Sequence, residues 1–324
     1  MRLRHLIGIC LAVCALLCCA WGKPAIAGPS NDSGFSDGVI SKGCATQQCL
    51  AQLSLTGAGG KGSAVATFTG PGDLIPGASV YWSCVIAYTA SYASGHGNAC
   101  DMFRDSDAAT CTSKFGSNGI VDTTVATSCA GATVTSFCGG TTCRYTKAYD
   151  QATANVNPGT AVSTFFPILT FGGVGSCPTT THTAAGQQEF RNLTFNEAAP
   201  WTDIAIVRTT SSSGPADLGS SGNFTVNTSA NTIQMAGLPS GITQSISQNT
   251  IYAAQAVSLV TGLNSLLVNG TTSTATASAT ATSAFQIGRA FDGDELLVGE
   301  WPIGFNSTQL GAMTALLRSY CGGF

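Results

Sequence analysis

Charge is what this chain has least of. Of 324 residues only 9% are Lys, Arg, Asp or Glu, 13 basic against 16 acidic, and histidine occurs three times. Disordered polyelectrolytes and basic nucleic-acid binders both need dense charge, so the chain belongs to neither class. Long apolar runs are missing as well once the first 21 residues are passed, which leaves no segment to cross a bilayer. What remains is 44% hydrophobic residues, 39 glycines and abundant Ser and Thr, in a chain long enough to bury a substantial core. That composition suits one large β-rich domain, since all-β sandwiches commonly run beyond 200 residues.

The N-terminus reads as an export signal. Arg2 and Arg4 precede the apolar stretch Leu6 to Trp21, and Ala25-Ile26-Ala27 supplies a small-x-small cleavage site. A membrane anchor is the weaker reading, because the run falls short of the ~20 residues a span needs. Residues 1–27 are therefore expected to be a signal peptide, 28–69 a Gly/Ser-rich extension and 70–324 the main domain, outside the cytoplasm. Cleavage removes Arg2, Arg4 and Lys23, leaving 10 basic against 16 acidic residues, formally −6, with His96 and His182 the remaining histidines. It also removes four of the 14 cysteines. Ten in an exported chain imply up to five disulfides. Cys44/Cys49 and Cys138/Cys143 have a C-x4-C spacing that zinc tolerates, but export and scarce histidine favour disulfides. Cys138–Cys143 and Cys44–Cys49 are expected as local staples and Cys100–Cys111 as a third, with the pairing of Cys84, Cys129, Cys177 and Cys321 open.

Tyr81, Cys84, Val85, Tyr88 and Tyr92 recur at helical spacing and predict an amphipathic helix ended by Gly95 and Gly97. A first strand is expected at Ser63 to Thr69. Farther on, short β-prone runs follow one another between Gly, Ser, Asn and Thr clusters. They are Arg144 to Asp150, Thr164 to Phe171, Asp203 to Thr209, Phe224 to Asn227, Thr232 to Met235, Ala253 to Val260, Ser265 to Asn269, Ala284 to Ile287 and Leu296 to Trp301. Such spacing predicts a two-sheet sandwich or jelly roll. Thr271 to Ser283, all Thr, Ser and Ala, is a linker or a polar hairpin. Ser307 can cap a last helix with Leu310, Met313, Leu317 and Tyr320 on its apolar face.

Several motifs carry a resemblance. Arg104-Asp-Ser-Asp-Ala-Ala-Thr110, Phe137-Cys-Gly-Gly-Thr-Thr-Cys143 and Tyr149-Asp150-Gln151 resemble the first third of the catalytic domain of fungal-type α-L-arabinofuranosidase B, glycoside hydrolase family 54. Tyr252 to Thr274, with its Leu-Val-Asn-Gly-Thr turn, and Phe285-Gln-Ile-Gly-Arg-Ala-Phe-Asp292 followed by Glu300 resemble its end. The resemblance spans Gly70 to Tyr320, weakest from Asn155 to Ala199. It implies a concanavalin-like two-sheet sandwich with one or two short helices, and hydrolysis of terminal arabinofuranosyl groups. The sequence departs from the family where Ala152-Thr153-Ala154 replaces Ser-Gly-Asn after Tyr-Asp-Gln, and no Cys-Cys pair remains after cleavage.

The resemblance places the general acid at Asp292 and the nucleophile on an Asp-Leu-Glu segment between Asp217 and the Tyr252 strand. Retaining glycosidases need two carboxylates about 5 to 5.5 Å apart. From Leu218 to Phe291 the chain has no Asp or Glu at all. Asp217 is the nearest substitute nucleophile, with Asp203, Glu295 and Glu300 as alternatives. Asp292-Gly293 also reads as a hairpin turn, and Asp292, Asp294 and Glu295 as oxygen ligands for Ca²⁺; no other cofactor is expected. Asp150, Gln151 and Trp301 are candidate sugar contacts, although Asp150 suits loop organisation and Trp82, Tyr88, Trp201 and Trp301 suit core packing. The expected partner is a polysaccharide or glycan, with no nucleic acid and no membrane span. The alternatives are a non-catalytic glycan binder and a surface or assembly scaffold.

Overall fold

The computed structural model describes residues 67–324, except 125–128, 153–156, 159–165, 186–187, 212–214, 221–222, 228–229, 236–240, 277–283 and 289–290. The expected signal peptide, nearly all of the extension and the Cys44–Cys49 staple lie outside the described residues. So does most of the strand expected at 63–69, of which residues 67–69 are irregular.

Two antiparallel sheets form a sandwich. The strands are β1 (Val80–Trp82), β2 (Asn98–Arg104), β3 (Thr110–Lys114), β4 (Cys143–Ala148), β5 (Ile168–Val174), β6 (Cys177–His182), β7 (Phe190–Asn192), β8 (Trp201–Thr209) and β9 (Pro215–Ser220). They continue with β10 (Phe224–Asn227), β11 (Thr232–Met235), β12 (Ile242–Ser245), β13 (Ile251–Ser258), β14 (Leu263–Val268), β15 (Thr271–Thr276), β16 (Phe285–Ile287) and β17 (Gly293–Trp301). The larger sheet has the order β15-β14-β13-β8-β17-β6-β5-β4-β2-β3, with β1 added against β17, and the smaller sheet the order β12-β11-β10-β9-β16-β7. Helices α1 (Pro71–Leu74), α2 (Ala90–Ser94) and α3 (Val134–Phe137) are single turns, and α4 (Ser307–Ser319) is the one longer helix among the described residues.

Alternation along the strands sorts the core into two layers. Trp201, Ala205 and Val207 of β8 join Ala216, Leu218, Phe224, Val226, Phe285 and Ile287 of the smaller sheet between the sheets. Ile204 and Ile206 face the other way, joining Leu310, Met313 and Leu317 of α4. Asn306 caps α4 through Gln309 N–H, one residue earlier than the sequence suggests. The polar segment after Asn269-Gly270 forms β15, paired with β14, and both turn residues have positive φ (47° and 91°), as a tight hairpin turn requires.

Three expectations need correction. The helix predicted over Tyr81 to Tyr92 is instead β1, an irregular crossing and the short α2. Val80 to Tyr88 is buried along its whole length, so no solvent face exists to support a helical period. The Ser83 hydroxyl captures the Val85 and Ile86 N–H groups and donates to Leu296 O, which turns the chain. Cys100 and Cys111 do not pair. Met102 lies opposite Cys111 across β2 and β3, so Cys100 is two residues out of register and too far for the ~3.8 Å Cβ separation a disulfide needs. The bonds are Cys84–Cys100, Cys111–Cys129, Cys138–Cys143 and Cys177–Cys321. Finally, Asp292-Gly293 is no hairpin turn, because β16 and β17 belong to different sheets. Gly293 is required by close approach: a side chain there would collide with Arg208 O and the Phe291 ring.

Candidate functional site

The smaller sheet buries Ala216, Leu218, Phe285 and Ile287, so the residues between them point away from the core. Register then lines up one polar ladder across the sheet. Arg191 of β7 lies opposite Gln286 of β16, Gln286 opposite Gly219 of β9, and Asp217 of β9 opposite Thr225 of β10. Thr225 in turn faces Gln234 of β11, and Gln234 faces Thr243 of β12. Gln286 Nε2 donates to Asp217 Oδ2. The centre is shielded from solvent: Thr225 and Gln286 are 5% and 7% exposed although neither faces the core, while Arg191 and Thr243 at the ends are open to solvent. The Thr225 hydroxyl has no hydrogen-bond partner among the described residues. A buried hydroxyl left unsatisfied in this way costs about 1–3 kcal/mol, so its retention calls for an explanation.

Gly219 follows Asp217-Leu218, so the third place of the Asp-Leu-Glu pattern carries no side chain. It sits at φ 143°, and a Cβ there would stand 3.3 Å from Asp203 Oδ2. Asp203 lies opposite Glu300 across β8 and β17, and both are fully buried.

Asp292 lies in the connection from the smaller to the larger sheet. Its carboxylate accepts from Ala184 N–H and Ser211 Oγ, both at 2.7 Å. Gln286, which donates to Asp217, is not among these partners. Asp294 accepts from Thr179, Thr181 and the Arg208 guanidinium, whose Nη2 is 2.5 Å away. Glu295, one residue on, turns to the opposite face, where burial pushes its carboxyl pKa up. His182 Nε2 stands 3.9 Å from Glu295 Oε2, beyond hydrogen-bond reach, and offsets that burial only in part. Asp292, Asp294 and Glu295 therefore serve separate partners. Among the described residues no three His, Cys, Asp or Glu side chains group as metal ligands.

The remaining sequence candidates make their described contacts within the fold. Asp150 Oδ1 accepts from Tyr81 and Ala152 N–H, and Gln151 bridges Tyr88 N–H and Ser83 O. Both are buried and pin the irregular crossing that replaces the expected helix. Trp301 is fully buried, packs on Phe305 and donates its indole N–H to Ile75 O, leaving no ring face for a sugar. The ladder residues Arg191, Gln286, Thr225 and Gln234 escaped sequence reasoning. Period-two alternation in Phe285-Gln286-Ile287 was the signal available for Gln286.

The sandwich is similar to solved structures of family 54 enzymes. One is a GH54 α-L-arabinofuranosidase soaked with a cyclic sulfate inhibitor (TM-score 0.60, 14% identity, 77% of this chain and 65% of that one). Another is a Glu-to-Gln mutant of a GH54 α-L-arabinofuranosidase soaked with 4-nitrophenyl α-L-arabinofuranoside (TM-score 0.61, 15% identity, 77% and 65%). A third is an arabinofuranosidase complexed with arabinofuranosyl-α-1,2-xylobiose (TM-score 0.58, 16% identity, 77% and 64%). The chain thus covers just under two thirds of their length, and the likeness shows a GH54-like fold. No family model matches the sequence, and no curated protein does. No helix among the described residues is long and apolar enough to cross a membrane.

Proposed function

We propose that this is an exported, carbohydrate-active protein of the arabinofuranosidase type. It recognises terminal arabinofuranosyl groups of an arabinan- or arabinoxylan-type glycan on the polar ladder of the smaller sheet. The observation that carries the reading is the centre of that ladder, where the unsatisfied Thr225 hydroxyl, on the face away from the core, adjoins the Gln286–Asp217 pair. Amides, hydroxyls and a carboxylate with little net charge match the vicinal hydroxyls of a neutral sugar. A bound sugar would also supply the partner that Thr225 lacks.

Hydrolysis by retention asks for a second carboxylate about 5 to 5.5 Å from the first. In this reading Asp217 is the carboxylate of the ladder and Asp292, in the connection that follows β16, the candidate acid. Purified protein is expected to bind arabinoxylan saturably in calorimetry, with binding lost in Gln286→Ala and Asp217→Asn variants that remain folded. Absence of binding to arabinan and arabinoxylan overturns the proposal. Release of nitrophenol from 4-nitrophenyl α-L-arabinofuranoside, abolished by Asp292→Asn, adds catalysis; saturable binding without release assigns the ladder to recognition alone.

A further inference from the structure

The larger sheet ends differently on its two sides. At β3 the edge carries Lys114 and is covered by the chain that follows: Asp122 N–H bonds Lys114 O, Phe115 bridges Val121, and Cys111 is bonded to Cys129. These are the devices that keep sheet edges from pairing with other chains. At β15, the other end, no further strand follows among the described residues. Thr271 to Thr276 carries no Lys, Pro or charged residue, and side chains on both of its faces are exposed or half-exposed. The surroundings do not compensate, because from Leu218 to Gly288 the sequence has no Lys, Arg, His, Asp or Glu. Beside β15, an open groove of about 810 Å³ runs between α4 and the outer face of β14, lined by Leu259, Leu263, Leu267, Phe305, Leu310 and Phe324. Val260, Leu263 and Ile303 leave large apolar surfaces exposed.

We propose that β15 pairs antiparallel with the β15 of a second copy, joining the two larger sheets across a two-fold axis. A two-fold contact must be self-complementary, and this edge meets the condition. Small Thr, Ser and Ala side chains let two backbones approach, and the edge strand and its neighbours β14 and β13 carry no charge; Arg318 of α4 is the charged side chain on the groove lining. Register places Thr272, Thr274 and Thr276 on the groove side, opposite Leu267, Ser265 and Leu263. The pairing therefore sets the two α4 grooves side by side and shields Leu263 and Val260, which a single copy leaves in water. The proposal is independent of glycan recognition, since the ladder lies on the other sheet.

Sedimentation velocity on the full exported chain over a hundredfold concentration range tests it. The wild type is expected to sediment as a dimer at micromolar concentration. Thr272→Lys/Thr276→Lys, at exposed positions of β15, and, separately, Thr274→Pro are expected to sediment as monomers with unchanged near-ultraviolet circular dichroism. Thr112→Lys on the opposite edge is expected to stay dimeric. Alternate β15 amides should exchange at least tenfold more slowly in the wild type than in the lysine variant. A wild type that is monomeric throughout overturns the proposal. So does a dimer that survives both β15 variants, or an open series of larger polymers, which a closed two-fold contact cannot produce.

Discussion

The larger sheet holds four buried acids, Asp203, Asp294, Glu295 and Glu300, and every disulfide among the described residues lies on its side of the molecule. The smaller sheet holds one acid, Asp217, one base, Arg191, and no cysteine. Both contribute to one inter-sheet core, yet their polar residues play different parts. In the larger sheet they are enclosed: the carboxylate of Asp294 is saturated by two hydroxyls and a guanidinium, Asp150 and Gln151 are occupied by backbone groups, and the fully buried hydroxyls of Thr180, Thr209 and Ser258 have no hydrogen-bond partner among the described residues. In the smaller sheet the polar residues point outward, and at the centre a hydroxyl remains unsatisfied. What sets Thr225 apart is not the missing bond but its place, on the face of the smaller sheet that points away from the core.

Substitutions in the two sheets should therefore separate stability from binding. The largest effect is expected at Trp301. Removing this buried indole and its bond to Ile75 O should cost about 3–5 kcal/mol in Trp301→Ala, while the folded fraction binds glycan unchanged. Denaturant titration and calorimetry on one sample check both halves, and weaker binding by folded protein would return Trp301 to the site. Cys177–Cys321 closes a 144-residue separation between β6 and the end of α4. Cys321→Ser should cost roughly 2–4 kcal/mol through the freer unfolded chain, again without loss of glycan affinity.

Glu295 gives the larger sheet a pH signature. Its folded pKa is raised above the ordinary carboxyl value of 4.5, so the folded state binds its proton more tightly than the unfolded chain does. The stabilisation is complete below the unfolded value and is lost as pH rises through the folded one. His182 approaches it on the same face, and the enclosed phenols of Tyr81 and Tyr145 lie near enough to feel its charge. Glu295→Gln should flatten the decline in stability as pH rises from about 4.5, measured by urea unfolding at a series of pH values. An unchanged slope would remove Glu295 as its source.

In the smaller sheet β10 and β11 were legible in sequence, whereas β7, β9 and β12 were not expected. Phe224 to Asn227 and Thr232 to Met235 are strands with the expected ends, because each alternates with one buried face. Legibility failed where burial was complete. Val80 to Tyr88 is apolar on all sides and carries no period that distinguishes strand from helix, and its path is set by Ser83, Asp150 and Gln151, two of them some 60 to 70 positions away. Cysteine pairing failed for a related reason, since proximity in sequence says nothing about the register between β2 and β3. Asp217 was visible as the last acid before a long gap. Its companions Gln286 and Thr225 emerge only when the strand order sets β16 and β10 on either side of β9.

The smallest expected effect discriminates most sharply, because its two readouts move in opposite directions. Thr225→Val keeps the shape of the side chain and deletes the hydroxyl that lacks a partner. If that hydroxyl only carries a desolvation cost, its removal should stabilise the protein by about 1 kcal/mol, a rise in Tm of roughly 2–4 °C. If it is kept for the sugar, the same change should weaken arabinoxylan binding about five- to tenfold, the loss of one net hydrogen bond. The matched change in the larger sheet, Thr181→Val, removes a hydroxyl that donates to Asp294 at 2.6 Å, so it should destabilise the fold and leave binding alone. A Thr225→Val protein that gains stability and loses affinity, beside a Thr181→Val protein that does the reverse on stability and nothing on affinity, assigns recognition to the smaller sheet. Equal affinity in both variants and the wild type removes the ladder from the site.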